Sequence, residues 1–216
     1  MIDGSKQRSL ASDSDLVQLI QELQDEQQCG ALRIGRGSVV VIDGKEKCFY
    51  DPDTIAEALC AHTLKGECAF MDLSETRKVQ WVLDRKPAPR PMEELLWTIG
   101  YTGYRATSCC TNKGCRVEDV IQLKRWPNLT RLPSSGSTIR LASLFSMRPT
   151  SIFLASKILK VETDEVMRFY NAACYSGLAL RINGAPEPLK QRPHRKQKLV
   201  SALFSYLSGR RGQRLS

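Results

Sequence analysis

Apolar residues along the chain fall into runs of helical and strand period, separated by Gly, Pro and Asp. Leu16, Leu19, Ile20 and Leu23 recur at the spacing of one helix face, which predicts a helix over 15–28. Asp13 or Ser14 offers its cap and Gly30 its stop. Leu32 and Ile34, then Val39, Val40, Val41 and Ile42, read as two strands around Gly35-Arg36-Gly37. Asp43-Gly44 is a hairpin signal, with 45–50 as the return strand. Asp51-Pro52-Asp53 starts a helix over 54–63. Ala69, Phe70 and Leu73 read as a further strand, 79–83 as another, 92–99 as a helix and 117–123 as a short helix. The clearest periodicity lies in 138–182. Ile139, Leu141, Leu144 and Phe145 line one helix face, and Arg148-Pro149-Thr150 breaks it. Ile152, Leu154, Ala155, Ile158 and Leu159 form a second stripe. Val166, Phe169, Tyr170 and Ala173 form a third, capped by Thr163 or Asp164 and stopped by Gly177. Leu178, Leu180 and Ile182 then alternate with Ala179 and Arg181 as a half-buried strand would.

Punctuation divides the chain. Three prolines within 87–91 hold the backbone extended, so 85–91 reads as a linker. A loose polar N-terminus (1–14) and a sheet-bearing domain (15–84) precede it. A helical domain (92–183) and a tail (184–216) follow. The fold class expected is α+β: a small mixed sheet domain, then a helical domain, then a basic terminal helix. In that last helix Leu199, Val200, Leu203, Phe204 and Leu207 share a face.

Composition narrows the class. The 216 residues are 42% hydrophobic and 25% charged, an ordinary globular balance. No apolar run approaches the ~18 residues of a membrane span. The first ten residues carry no hydrophobic signal core, so the eight cysteines are expected as reduced thiols in a cytoplasm. The net charge of +9 is unevenly placed. Residues 184–216 hold eight Lys/Arg and one acid, a net +7. The other 183 hold 24 basic and 22 acidic groups, a net +2.

Two resemblances bear on function. Cys29-Gly30-Ala31-Leu32-Arg33-Ile34, the strand into Asp43-Gly44-Lys45, and Lys65-Gly66-Glu67-Cys68-Ala69-Phe70 resemble the PATAN domain of bacterial signalling proteins over roughly 13–75. The loop after Ile34 is shorter than in that family, and Asp51-Pro52-Asp53 replaces its usual alanine. The resemblance implies a signal-transduction adaptor. The order helix, helix, helix, strand over 138–182 resembles a winged helix. Together with Trp126-Pro127-Asn128-Leu129-Thr130-Arg131-Leu132 and Phe169-Tyr170-Asn171-Ala172-Ala173, it resembles the carboxy-terminal half of a group of uncharacterised bacterial proteins. That likeness implies a regulatory adaptor and no activity.

Candidate chemistry is sparse. There is no Gly-x-x-x-x-Gly-Lys-Ser/Thr phosphate loop and no Gly-x-Ser-x-Gly elbow. The two histidines are His62 and His194, the latter set between Pro193 and Arg195 in the tail. Cys109, Cys110 and Cys115 are the candidate metal ligands, with Cys60, His62 and Cys68 as distant partners. Zinc wants about four N/S ligands, and the spacing lacks a Cys-x-x-Cys pair, so neither metal nor cofactor is expected. Glu93-Glu94 after Pro91 reads as a helix start favoured by the macrodipole, not as an acid–base pair.

The functional choice lies between DNA and protein. A DNA-reading third helix presents basic or amide groups to the major groove. The candidates are Arg168 and Asn171, with Arg181 on the following strand, but Asp164 and Glu165 open that helix. In the tail, Arg192, Arg195, Lys196, Lys198, Arg210 and Arg211 flank the amphipathic run. They suit an acidic partner, a membrane surface or a cyclic dinucleotide, with no feature selecting the last two. The expectation is a non-enzymatic regulatory adaptor that docks another protein, with a DNA-binding regulator as the alternative.

Overall fold

Ser12, extended and accepting from the Asp15 amide, starts α1 (Asp13–Asp25), and Leu16, Val17, Leu19, Ile20 and Leu23 bury its inner face. The computed structural model describes residues 8–10, 12–35, 38–51, 59–65, 67–104 and 117–182. The first sheet contains β1 (Arg8–Ser9), β2 (Cys29–Ile34), β3 (Ser38–Asp43), β4 (Cys48–Tyr50), β5 (Cys68–Asp72) and β6 (Pro89–Pro91). Its order is β1-β5-β2-β3-β4-β6. Every pairing in it is antiparallel, which corrects the expected mixed sheet.

One face of the sheet carries Leu32, Ile34, Val40, Ile42, Phe49 and Phe70. They form a core with α1, with Leu59 and Cys60 of α2 (Leu59–Leu64), and with α4 (Met92–Thr102). The opposite face carries Ala31, Val41 and Met71, with Trp81 of α3 (Glu75–Arg85) packed on them. The four-valine/isoleucine run of β3 is apolar because both its faces are covered.

Three local readings differ from expectation. Residues 79–83, expected as a strand, lie inside α3, where Val79 and Leu83 are exposed and Lys78 is buried. Residues 117–123 are not helical; 120–123 form β7 (Val120–Leu123), a strand too short for periodicity to identify. Within the expected linker, Pro89–Pro91 is edge strand β6, whose missing amides suit an edge. The Asp43-Gly44 signal does open the turn between β3 and β4. Its left-handed residue, however, is Lys47 (φ 51°), and Gly44 is needed because a Cβ there would overlap the Leu23 carbonyl.

The second half contains β7, α5 (Thr138–Met147), β8 (Thr150–Ser151), α6 (Ile152–Leu159), α7 (Thr163–Tyr175) and β9 (Ala179–Ile182). The three strands form an antiparallel sheet in the order β8-β7-β9. Its central strand comes from before α5, so the 138–182 unit does not complete its own sheet. The unit's core joins Ile121, Leu141, Phe145, Ile152, Val166 and Phe169 to Trp97 of α4.

Helix α4 therefore serves both cores: Leu95, Leu96 and Ile99 face the first and Trp97 the second. Gly100 lets it approach α7. A Cβ at Gly100 would lie 2.7 Å from Ala172 Cα and 2.8 Å from the Asn171 carbonyl. Gly100→Ala is expected to destabilise by about 1–3 kcal/mol through overpacking, despite a helix-propensity gain of about 1 kcal/mol. Thermal unfolding checks this, and an unchanged or raised midpoint would mean that the two helices have room.

Candidate protein-interaction surface

Helix α7 holds the expected reading residues and buries most of its circumference: Val166, Met167, Phe169, Tyr170, Asn171, Ala172 and Ala173. Asn171, expected on the surface, is 5% exposed, because that side of α7 is pressed on α4. Arg168 is exposed and lines an open cleft of about 530 Å³ with Ser135, Ser137, Glu162, Asp164 and Glu165. The carboxylates there organise their surroundings. Tyr101 donates to Glu165 at 3.2 Å, Ser137 donates to it at 3.0 Å, and Ser135 also donates to it. Tyr104 donates to Asp164 at 3.1 Å. Arg181 ion-pairs with Asp119 at 2.8 Å, across the β7–β9 side of the small sheet. The structure thus brings Arg168 among acids, buries Asn171 and pairs Arg181. It does not join the three into a basic face. Arg192, Arg195, Lys196, Lys198, Arg210 and Arg211, and the thiols Cys109, Cys110 and Cys115, lie outside the described residues.

A second place stands out electrostatically. Cys29, Asp43 and Cys48 are register partners on three neighbouring strands, so their side chains share one sheet face. Above them α3 lowers Lys78, whose Nζ lies 2.7 Å from Asp43 Oδ2 and 2.7 Å from Glu75 Oε1. Asp43 Oδ1 accepts from the Glu46 amide at 3.0 Å, and Cys29 donates to Glu75 Oε2 at 3.2 Å. Burial opposes the charge on Asp43, but the Glu46 amide and the Lys78 ammonium outweigh it and hold the carboxyl below its usual range. Burial likewise works against the Lys78 cation, and the two carboxylates more than compensate, raising its pKa. Burial and the bond to Glu75 push the Cys29 thiol up to about 12. Cys29 and Lys78 therefore carry their protons at neutral pH, and a nucleophilic thiolate or amine requires the opposite. The cluster fastens α3 to the sheet beside an open cleft of about 630 Å³ lined by Gln28, Cys29, Asp72, Ser74, Glu75 and Arg77.

The third place is apolar. On α5 and α6, Ile139 is 62% exposed, Met147 80%, Phe153 54% and Ile158 40%. The two helices pack on each other and run back past one another, the Arg140 guanidinium donating to the Leu159 carbonyl. This places the Ile139 end of α5 at the Ile158 end of α6. The short 148–151 connection brings the Met147 and Phe153 ends together. Ile139 and Ile158 were expected in the buried stripes. A helix wheel gives the signal that simple spacing misses: Ile139 and Met147 lie on the side opposite Leu141 and Phe145. Leu180 of β9, expected to face inward, is 50% exposed. Its register partner is Gln122, and the neighbouring pair Ile121–Arg181 places Ile121 in the core.

Among the described residues no helix is long and apolar enough to cross a membrane. Among them, too, no three His, Cys, Asp or Glu side chains converge as metal ligands. The chain has the architecture of an α+β protein with two antiparallel sheets. Comparison with protein-family models, with curated proteins and with solved structures finds no match to it.

Proposed function

We propose that the chain is a non-enzymatic regulatory adaptor of a bacterial cytoplasm that works by docking another protein. The observation that carries this is the group of large apolar side chains left in solvent on α5 and α6: Ile139, Met147, Phe153 and Ile158. Large apolar side chains left in water gain free energy only when something covers them. The order α5, β8, α6, α7, β9 supports reading the second half as winged-helix-like, and the first sheet with its flanking helices as PATAN-like. A winged helix used for DNA leaves its third helix open to the groove. Here α7 is wedged against α4 and α6, and its exposed cation Arg168 sits among Glu162, Asp164 and Glu165, which favours the protein-docking use of the fold.

The test is affinity capture from a bacterial lysate with the full chain as bait, with and without nuclease. Partners that persist after nuclease treatment, and that disappear when Met147 and Phe153 are both replaced by Ser, support the adaptor. Partners lost on nuclease treatment, together with duplex-DNA binding that weakens steeply with salt, replace it with a DNA-binding regulator.

A further inference from the structure

The exposed face of α5 and α6 has a charge character that the whole-chain balance hides. Residues 120–161 contain seven Lys/Arg and no Asp or Glu. Over the rest of 1–183 there are 17 Lys/Arg and 22 acids, so the positive charge of residues 1–183 is concentrated in this one stretch. Four of the seven lie on the two helices or immediately after them: Arg140, Arg148, Lys157 and Lys160. Three are exposed, and Arg148 is half-buried. Among the described residues none of the four has a carboxylate partner, whereas Arg125 pairs with Glu93, and Arg131 lies 3.8 Å from Glu94.

The cations and the apolar side chains interleave. Lys157 places its ammonium 5.5 Å from the centre of the exposed Phe153 ring. Arg140 follows Ile139, Arg148 follows Met147, and Ile158 lies between Lys157 and Lys160. Along the sequence, carboxylates begin at the borders, with Glu162 where α7 starts and Glu118 and Asp119 before β7, of which Asp119 is paired with Arg181. In space Glu165 also reaches the start of α5, where Ser135 and Ser137 donate to it.

We infer that this face receives an acidic, apolar peptide segment of a partner protein, its Leu-, Phe- or Met-type side chains meeting Ile139, Met147, Phe153 and Ile158 while its carboxylates meet Arg140, Arg148, Lys157 and Lys160. The inference rests on the docking reading above and specifies the partner's chemistry. Charge complementarity selects an acidic segment, and the apolar tips require that segment to carry apolar side chains of its own. A phosphate backbone satisfies the cations but leaves Met147 and Ile139 without a match. A lipid surface suits a helix that exposes a continuous apolar stripe. Both helices turn their stripes inward, through Leu141, Leu144 and Phe145 and through Ile152 and Ala155, and expose separate tips set between cations.

The experiment selects random dodecapeptides displayed on phage against the full chain, then measures enriched peptides by fluorescence anisotropy. Enriched sequences should combine Asp or Glu with large apolar residues. Their affinity should fall about tenfold or more, at least 1.4 kcal/mol, with Met147→Ser plus Phe153→Ser. A similar loss should follow the independent charge reversal Arg140→Glu plus Lys157→Glu. The control Val79→Ser plus Leu83→Ser on α3 should leave affinity unchanged. Circular dichroism confirms that each variant is folded, and the two test variants back each other if one is not. Enrichment without acidic residues, or binding indifferent to both test variants, overturns the inference. So does tighter binding of phosphatidylserine-rich vesicles or short duplex DNA that the same variants abolish. Nuclease-resistant partners lost with Met147→Ser plus Phe153→Ser but kept with Arg140→Glu plus Lys157→Glu would overturn this inference alone and leave the docking reading standing.

Discussion

Lys78→Met is expected to destabilise the chain by about 3–5 kcal/mol, because it strands Asp43 as a buried carboxylate without its cation. The methionine keeps the packing volume. Asp43 has no exposure and Lys78 only 7%. The change thus removes the charge partner and little else. Asp43→Asn combined with Lys78→Met should recover most of the loss, since the amide oxygen can still accept from the Glu46 amide. The sign with pH follows from the pair. Asp43 has its pKa lowered in the folded state, so its stabilisation is present above the unfolded carboxylate value of about 3.9 and disappears as pH falls through the lower folded value. Lys78 has its pKa raised, so its contribution is full below the unfolded lysine value of about 10.4 and is lost only as pH rises through the higher folded value. In Lys78→Met burial acts on Asp43 without the ammonium, and protonation then relieves the variant. The gap between variant and parent should be largest near neutral pH and narrow towards about pH 3.5. Urea unfolding at the two pH values measures it. A neutral-pH gap under about 1 kcal/mol, the scale of an exposed pair, would remove the cluster's role in holding α3.

Trp97→Ala should cost about 3–5 kcal/mol, the range for truncating a fully buried aromatic, and lower the midpoint by roughly 2–4 °C per kcal/mol for a chain of this size. Trp97 is fully buried and meets Phe169 edge-on with ring centres 5.6 Å apart, and Phe169 stacks on Phe145 at 5.6 Å. Its indole N–H donates to the Pro133 carbonyl at 3.0 Å, tying the segment ahead of α5 to α4. The adjacent Leu96 on α4 lies in the first core. Loosening the second core should therefore lower hydrogen-exchange protection in β2 and β3 as well as in α5 and α7. Protection unchanged in β2 and β3, with loss confined to the second half, would show that α4 does not couple the two cores.

The surface on α5 and α6 was only partly legible in the sequence. Both helices and their break at Arg148-Pro149 follow from spacing and proline chemistry. Which apolar residues stay in solvent does not. Ile139 and Ile158 differ from their buried neighbours only by angle around the helix, and Leu180 differs from Ala179 only in which sheet face the β7 register assigns to it. Asn171 reads as a polar surface residue until α7 is set against Gly100. The absence of acids over 120–161 is plain in the sequence, but it acquires meaning only when α5 and α6 place its cations beside exposed apolar side chains.

The sequence by itself determined the elements whose signals are local: the 3.6-residue stripes of α1, α4, α5, α6 and α7, the β2 and β3 strands with the turn after Asp43, and the α+β class. These depend on propensity, caps and turn residues within a few positions, so they survive without knowledge of the rest. Tertiary structure decided what depends on distant partners. It made 79–83 part of a helix, because Lys78 finds Asp43 across the sheet and Trp81 finds Ala31, Val41 and Met71. It made 120–123 the central strand of a sheet whose other members come some 30 and 60 residues later, a pairing that no window of the sequence contains. It also turned the region of α4 from the start of a separate module into the helix both cores share, because one face of that helix carries Leu95, Leu96 and Ile99 while Trp97 and Gly100 meet α7 on the other.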